Sequence, residues 1–228
     1  MQGVLLDVGG VFLVPSRDRL VEPLGELLIG TLSDEECDRA HYEGIHALDV
    51  ANVPGDGDRR IYLNGYLSSI GIPKNRRGAA IDRLVPVWRG PSPDLWRRVL
   101  GGSIAGLRSL HHADLRLGIV SNSDGHVEEE LVRNRICQVG PGQGVPVQTI
   151  IDSDVVGVAK PDPTIFDFAL PSLDLDPSDV IYVGDSVKYD IRSAEAAGMT
   201  PLHFDPLNLC EETNHLHIAQ VGDVLHYV

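Results

Sequence analysis

One arrangement recurs along this chain: a short apolar run that ends in small, polar or acidic residues. Gly3–Asp7 runs into Gly9-Gly10, Leu115–Val120 into Ser121-Asn122, and Val147–Ile151 into Asp152-Ser153. Val180–Val183 runs into Gly184-Asp185, and Pro201–Phe204 into Asp205. Continuous apolar runs of this length suit strands buried on both faces of a parallel sheet.

Helical patterns separate the strands. His126–Ile136 carries glutamates at its start and arginines at its end, which suits the helix dipole. Asp162-Pro163 is an N-cap and first-turn pair for a helix to about Leu170. Asp190–Ala197 ends at Gly198, a residue suited to the left-handed C′ position. Strands alternating with helices predict an α/β fold, a doubly wound parallel sheet with helices on both faces. Ligands of such sheets bind beyond the carboxyl ends of the strands. The polar residues of this chain collect there.

About a hundred residues separate the first run from the second, and they contain no convincing strand. Ser33 followed by Glu36 reads as a capping box that opens a helix toward Leu48. Ile61–Ile70 before Gly71, Asn75–Trp88 and Leu95–Leu110 are also helical in pattern. An interruption of this length is no ordinary loop. The expected organisation is a core of residues 1–14 and 93–228, with an all-helical domain, 15–92, inserted after the first strand. Leu95–Leu110 is expected to return to the core, with Gly140–Pro146 as a surface loop and Trp88 and Trp96 as packing residues at the hinge.

Composition excludes several partners. A chain of 228 residues that is 43% hydrophobic can bury a sizeable core without a disulfide or a metal staple. Cys37, Cys137 and Cys210 are spaced neither as a zinc knuckle nor as a redox pair, so reduced thiols in a cytoplasmic protein are expected. The opening MQGVLLD lacks the basic region of a signal peptide, and no apolar run approaches the ~20 residues of a membrane span. A formal net charge of −14 repels nucleic acid and anionic lipid, so neither is an expected partner. An anion-binding site here has to be locally organised. Nothing in the sequence assigns an oligomeric state.

Asp7, Ser121, Lys160 and Asp185 with Asp190 follow one another at strand ends, and as a set they fit phosphoryl transfer. A carboxylate can attack phosphorus and form an acyl phosphate, splitting one difficult hydrolysis into two easier steps. Nucleophile and phosphoryl group are both anionic, so cations must offset their repulsion. Mg²⁺ held by Asp7 and Asp185 would be one, and the point charge of Lys160 another. Ser121 offers a hydroxyl donor, and backbone N–H groups of the Gly9-Gly10 turn can add more.

The set resembles the haloacid dehalogenase-like hydrolase superfamily across essentially the whole chain. VLLDVGGV is similar to the family's first motif, GIVSNSD to the second, VAKPDPTIF to the third and VIYVGDSVKYDIRSAEAAGM to the fourth. The helical insert resembles the family's helical cap of the first class, and the core its Rossmann-like sheet. The resemblance implies a hydrolase with Asp7 as nucleophile and Mg²⁺ ligand, passing through an aspartyl-phosphate. It also implies a metal-ligating carbonyl at Gly9 and a metal ligand at Asp185. Ser121 and Lys160 would bind the phosphoryl group with Asn122 beside it, and Asp190 would orient Lys160 or a metal-bound water. The substrate implied is a small phosphorylated metabolite.

One position departs from the pattern. Family phosphatases usually carry a second aspartate two residues after the nucleophile, as general acid and base, and here that residue is Gly9. Such help is typically worth ~10²–10⁴-fold. A substrate with a good leaving group, a replacement from His41, His46 or Asp18, or weak catalysis would each accommodate the loss. Metal-independent 2-haloacid dehalogenases also lack this acid, so attack on carbon is an alternative, as is a phosphate-binding module. Retention of Asp185 and Asp190 favours phosphorus. His215-x-His217 reads as a pair of surface histidines with nothing nearby to complete a site, and His111-His112 as a helix-closing pair.

Overall fold

The apolar run ahead of Asp7 becomes strand Gly3–Leu6 in a computed structural model that describes residues 1–51 and 58–228. It sits inside a six-stranded sheet ordered Leu216–Ile218, Thr200–Phe204, Val180–Gly184, Gly3–Leu6, Arg116–Ser121, Thr149–Asp152. Every neighbouring pair runs parallel. From the first strand the chain moves outward to Thr149–Asp152, then crosses back to Val180–Gly184 on the other side. The strand order therefore reverses beside Gly3–Leu6, which creates a switch-point crevice at the carboxyl end of that strand. Leu6 is in register with both Ile119 and Val183, so Asp7, Ser121 and Asp185 emerge on one edge.

The sheet is sealed by packing on both faces. Leu5, Val120 and Tyr182 share one face and bury Ile165, Phe166, Ala169 and Met199 against it. Helix Ser103–His112 buries Leu107 and Leu110, and at Gly106 it meets the C-terminal Val221–His226 turn within van der Waals reach. These residues belong to one compact unit, Met1–Leu13 with Val99–Val228.

Val14–Arg98 makes the second unit. Its helices are Arg17–Leu24, Asp34–Ala51, Asp58–Ser69, Lys74–Trp88 and the short Ser92–Leu95. The capping box forms: Ser33 N–H donates to Glu36 Oε2 at 2.7 Å, and Glu36 N–H to Ser33 Oγ at 3.1 Å. A Cβ at Gly65 would stand 3.0 Å from Gly44 Cα, so two glycines let helices Asp34–Ala51 and Asp58–Ser69 meet closely. Their apolar stripes close a core of Leu20, Leu24, Leu63, Tyr66, Leu67 and Leu84, with Trp88 and Trp96 packed on it. Arg98 grips both oxygens of Asp38, at 2.7 and 2.8 Å.

Several expectations change. Leu95–Leu110 is not one helix: Trp96–Val99 is a strand paired with Leu13–Pro15, and helix Ser103–His112 starts afresh. The break is Gly101-Gly102, where Gly102 takes φ +89°, a conformation a continuing helix forbids. The insert accordingly runs to Arg98 rather than to residue 92. Val147 leaves the main sheet for a two-stranded ribbon, Val145–Val147 beside Cys137–Val139, and the core strand begins at Thr149. The 162–170 helix is a 3₁₀ segment, Pro163–Phe168, followed by a short α-helix, Leu170–Leu173, that carries Pro171 in its first turn. The helix after Asp185 opens with a π-type turn, Val187–Ile191. Leu216–Ile218 adds a sixth strand that a three-residue run did not announce. Among the described residues, no helix is long and apolar enough to cross a membrane.

Candidate active site

Asp7 leaves the central strand with its N–H bonded to Val183 O at 2.9 Å, which fixes its backbone to the neighbouring strand. The turn beyond it closes on itself: Phe12 and Leu13 N–H both donate to Val8 O, and Gly10 N–H donates to Leu13 O at 2.8 Å. Gly10 was expected to offer its N–H to phosphate. That donor is spent inside the turn, and the expectation falls on Gly9 alone.

Lys160 reaches the same point from the segment after Gly157. Its Nζ lies 2.6 Å from Asp190 Oδ1 and 3.1 Å from Asp7 Oδ1, and it donates to Tyr182 Oη at 2.7 Å. The Tyr182 hydroxyl lies 3.0 Å from Val120 O and 3.1 Å from Asp190 Oδ1. Ser186 N–H donates to Asp190 Oδ2 at 3.0 Å. Both oxygens of Asp190 thus carry protein partners. That geometry suits a residue orienting Lys160, and its carboxylate also stands with Asp7 and Asp185 in one group of acids that could hold a metal ion. Gly184 permits the approach, because a Cβ there would overlap the Asp190 carboxyl group.

Asn122 stands beside Lys160. Its Nδ2 donates to Lys160 O at 2.9 Å, and its Oδ1 accepts from Lys160 N–H at 2.8 Å. The side chain thus clamps the lysine backbone. The Ser121 hydroxyl lies close enough to Asp7 to favour its carboxylate form. The loop after Ser121 is shaped by Asp152, whose Oδ2 accepts from Gly125 and Val127 N–H at 3.0 and 3.2 Å.

Electrostatically the site is overloaded with negative charge. Asp7, Asp185 and Asp190 bring carboxylate oxygens within 4.8 Å of one another, and Lys160 is the cation paired among them. Burial pushes Asp7 up to about 6; Lys160 opposes the rise, Asp190 and Asp185 add to it, and the Ser121 hydrogen bond lowers it. Burial alone would lower Lys160, yet Asp190 and Asp7 hold its ammonium above the usual lysine value. An all-oxygen donor set with surplus negative charge fits a hard divalent cation such as Mg²⁺. Asp7 and Asp185 are the carboxylates that would hold it, with Asp190 in the same group.

The replacement acids divide. His41 is 1% exposed, and its Nδ1 lies 3.0 Å from Tyr62 Oη in the interior of the helical unit. It is a packed core histidine. His46 is half-buried and Asp18 exposed, the latter bonded by the Ser16 hydroxyl. Tyr182 was missed. Its only signal is a phenol placed three residues before Asp185 in an otherwise apolar strand.

Comparison with known proteins follows the same lines. A family model described as a haloacid dehalogenase-like hydrolase matches residues 73–198. The haloacid dehalogenase-like hydrolase domain-containing protein 3 of Bos taurus is 35% identical over 108 residues, covering 47% of this chain and 40% of that protein. The chain thus spans well under half the length of this curated relative. Among solved structures, a HAD phosphatase from Thermococcus onnurineus superposes with a TM-score of 0.58 at 18% identity, covering 100% of this chain and 97% of that one. A 2-haloacid dehalogenase from Pseudomonas syringae superposes with a TM-score of 0.53, also at 18% identity, covering 99% and 97%. At such identities the likeness establishes the fold, which serves both chemistries.

Proposed function

The chain belongs to the haloacid dehalogenase-like hydrolase family, and from that premise we propose that it hydrolyses a small phosphorylated metabolite through an aspartyl-phosphate on Asp7. The observation that carries the reading is the crowding of Asp185 and Asp190 around the Asp7–Lys160 pair. Metal-independent attack on carbon requires a carboxylate and a cradle for halide, and does not need acids placed to hold a metal ion. Attack on phosphorus calls for cations, and these acids recruit them.

Bound Mg²⁺ would supply charge neutralisation and polarise a phosphoryl oxygen. The chain's own residues do the rest. Asp7 attacks phosphorus, the P–O bond to the leaving group breaks, and the leaving oxygen takes its proton from water. Lys160 balances charge on the equatorial oxygens, and Ser121 and the Gly9 N–H donate to them. Water then attacks the acyl phosphate at phosphorus, which releases inorganic phosphate and restores Asp7. Asp190 and Tyr182 keep the Lys160 ammonium in place, and Asn122 holds its backbone.

Gly9 carries no side chain to protonate a departing alkoxide. The substrate class that suits this site therefore has a weakly basic leaving group, such as an acyl phosphate or a sugar 1-phosphate. A panel of phosphate esters with and without Mg²⁺ tests the reading, with Asp7→Asn alongside and halide release from 2-haloacids in parallel. Metal-dependent phosphate release that Asp7→Asn abolishes is expected. Halide release without metal, or an Asp7→Asn enzyme as active as the native one, would overturn it.

A further inference from the structure

Beside the carboxylate edge, on the last two strands of the sheet, a second cluster of quite different chemistry assembles. His203 on Thr200–Phe204 stands in register with His217 on Leu216–Ile218. His215, two residues before His217, shares its face. Cys210 comes from the connecting loop, which Asp205 shapes by accepting from Leu209 and Cys210 N–H at 2.9 Å each. One donor atom from each of His203, Cys210, His215 and His217 falls within 4.8 Å of the others. His215 and His217, expected to be an isolated surface pair, are half-buried parts of this group.

The hydrogen bonds around the cluster fix where the ring protons lie. His203 Nε2 faces Asp185 O at 3.1 Å, His215 Nδ1 faces Asn214 Oδ1 at 3.0 Å, and His217 Nε2 faces Glu212 O at 3.1 Å. Each of these partners is an acceptor, so each of these nitrogens carries the hydrogen. In a neutral imidazole the other nitrogen then bears a lone pair. Those nitrogens are His203 Nδ1, His215 Nε2 and His217 Nδ1. The first two are only 3.1 Å apart, and Cys210 Sγ lies 3.7 Å from His215 Nε2. His217 Nδ1 is buried without a hydrogen bond, the Asp205 carboxylate being 3.5 Å away. Lone pairs brought this close repel unless a cation stands between them.

We propose that His203, Cys210, His215 and His217 form a structural zinc site, separate from the carboxylate site. Four-coordinate zinc with bonds of about 2.0 Å to nitrogen and about 2.3 Å to sulfur sets donors roughly 3.3 Å apart for N–N and roughly 3.6 Å for N–S. The two separations above match those edges. Three imidazoles and a thiolate are soft-to-borderline donors that select Zn²⁺ over Mg²⁺, and four protein ligands leave no open position for catalysis. An outward N–H held by a carbonyl or amide oxygen is the orientation that ligating histidines use. Binding converts the Cys210 thiol to a zinc thiolate and releases its proton to solvent. The ion ties the edge strand and the 205–215 loop together, and through His203 Nε2 it braces the backbone that presents Asp185.

The full-length protein, stripped by a chelator and titrated with Co²⁺ and then Zn²⁺, tests the assignment. One equivalent of Co²⁺ should give tetrahedral d–d bands and a thiolate-to-cobalt charge-transfer band, both abolished by one equivalent of Zn²⁺. Cys210→Ser should lose the charge-transfer band, and His217→Ala should weaken zinc binding at least ~100-fold. Asn214→Ala, which removes only an outer hydrogen bond, should weaken it by ~10–100-fold. Asp7→Asn should bind zinc as the native protein does, since it lies in the other site. A native protein without the charge-transfer band, or a Cys210→Ser protein of native zinc affinity, would refute the site.

Discussion

Lys160 and Asp190 form an ion pair of 2.6 Å with both side chains 1% exposed, and a second carboxylate, Asp7, stands 3.1 Å from the same ammonium. A pair this deep has replaced its water with protein partners, here Tyr182 and the Ser186 N–H. Its energetic weight lies less in attraction than in what either ion would suffer alone.

Lys160→Met should therefore cost about 3–5 kcal/mol, the range for stranding one member of a buried pair. Urea unfolding at neutral pH measures it. A loss under 1 kcal/mol would mean that the carboxylates find water once the lysine is gone.

Tyr182→Phe removes one hydroxyl and little volume. It should destabilise the fold by about 1–3 kcal/mol, because Lys160 loses an acceptor in a buried site. The steady-state signature should be a fall in kcat with KM nearly unchanged, since the hydroxyl positions the ammonium and touches no substrate. An unaltered kcat would remove Tyr182 from the site.

Gly184→Ala places a methyl group where the Asp190 carboxyl lies. Overpacking of this kind typically costs about 1–3 kcal/mol. The displaced Asp190 should lower activity far more than the melting temperature suggests. Phosphatase assays beside thermal unfolding separate the two effects, and equal modest losses in both would count against the orienting role of Asp190.

The raised pKa of Asp7 gives a signed pH effect on stability. Its folded value of about 6 exceeds the ordinary 3.8, so between these the folded state binds the extra proton. Stability of chelator-treated protein should consequently fall as pH rises from about 4 to about 6, by roughly 2–3 kcal/mol from this group, and level off above. Mg²⁺ should flatten the decline by favouring the carboxylate. Urea midpoints across this range, with and without Mg²⁺, test both signs; a rise with pH in the chelated protein contradicts the assignment.

Much of this was legible locally. The strand ends at Asp7, Ser121 and Gly184-Asp185 were visible because a buried parallel strand must be apolar and must stop where polarity returns. The capping box at Ser33 and Glu36 and the left-handed turns at Gly71 and Gly198 follow from chemistry within a few residues. The break at Gly101-Gly102 was present too, but the apolar spacing on either side of it concealed two elements as one helix.

What the sequence determined by itself was the order of the strands and the kinds of group each one carries to its edge, because side-chain period and turn chemistry are local. Only the tertiary structure decided which groups meet. Asn122 became a clamp, Asp190 a partner of Lys160, and His41 a core residue through contacts between segments far apart in the chain. His203 joined His215, His217 and Cys210 through the register of the edge strand Leu216–Ile218 on its neighbour Thr200–Phe204. The hydrophobic pattern of each strand limits its register, but which residues stand opposite one another is decided only when strands from separate segments pair over a common core.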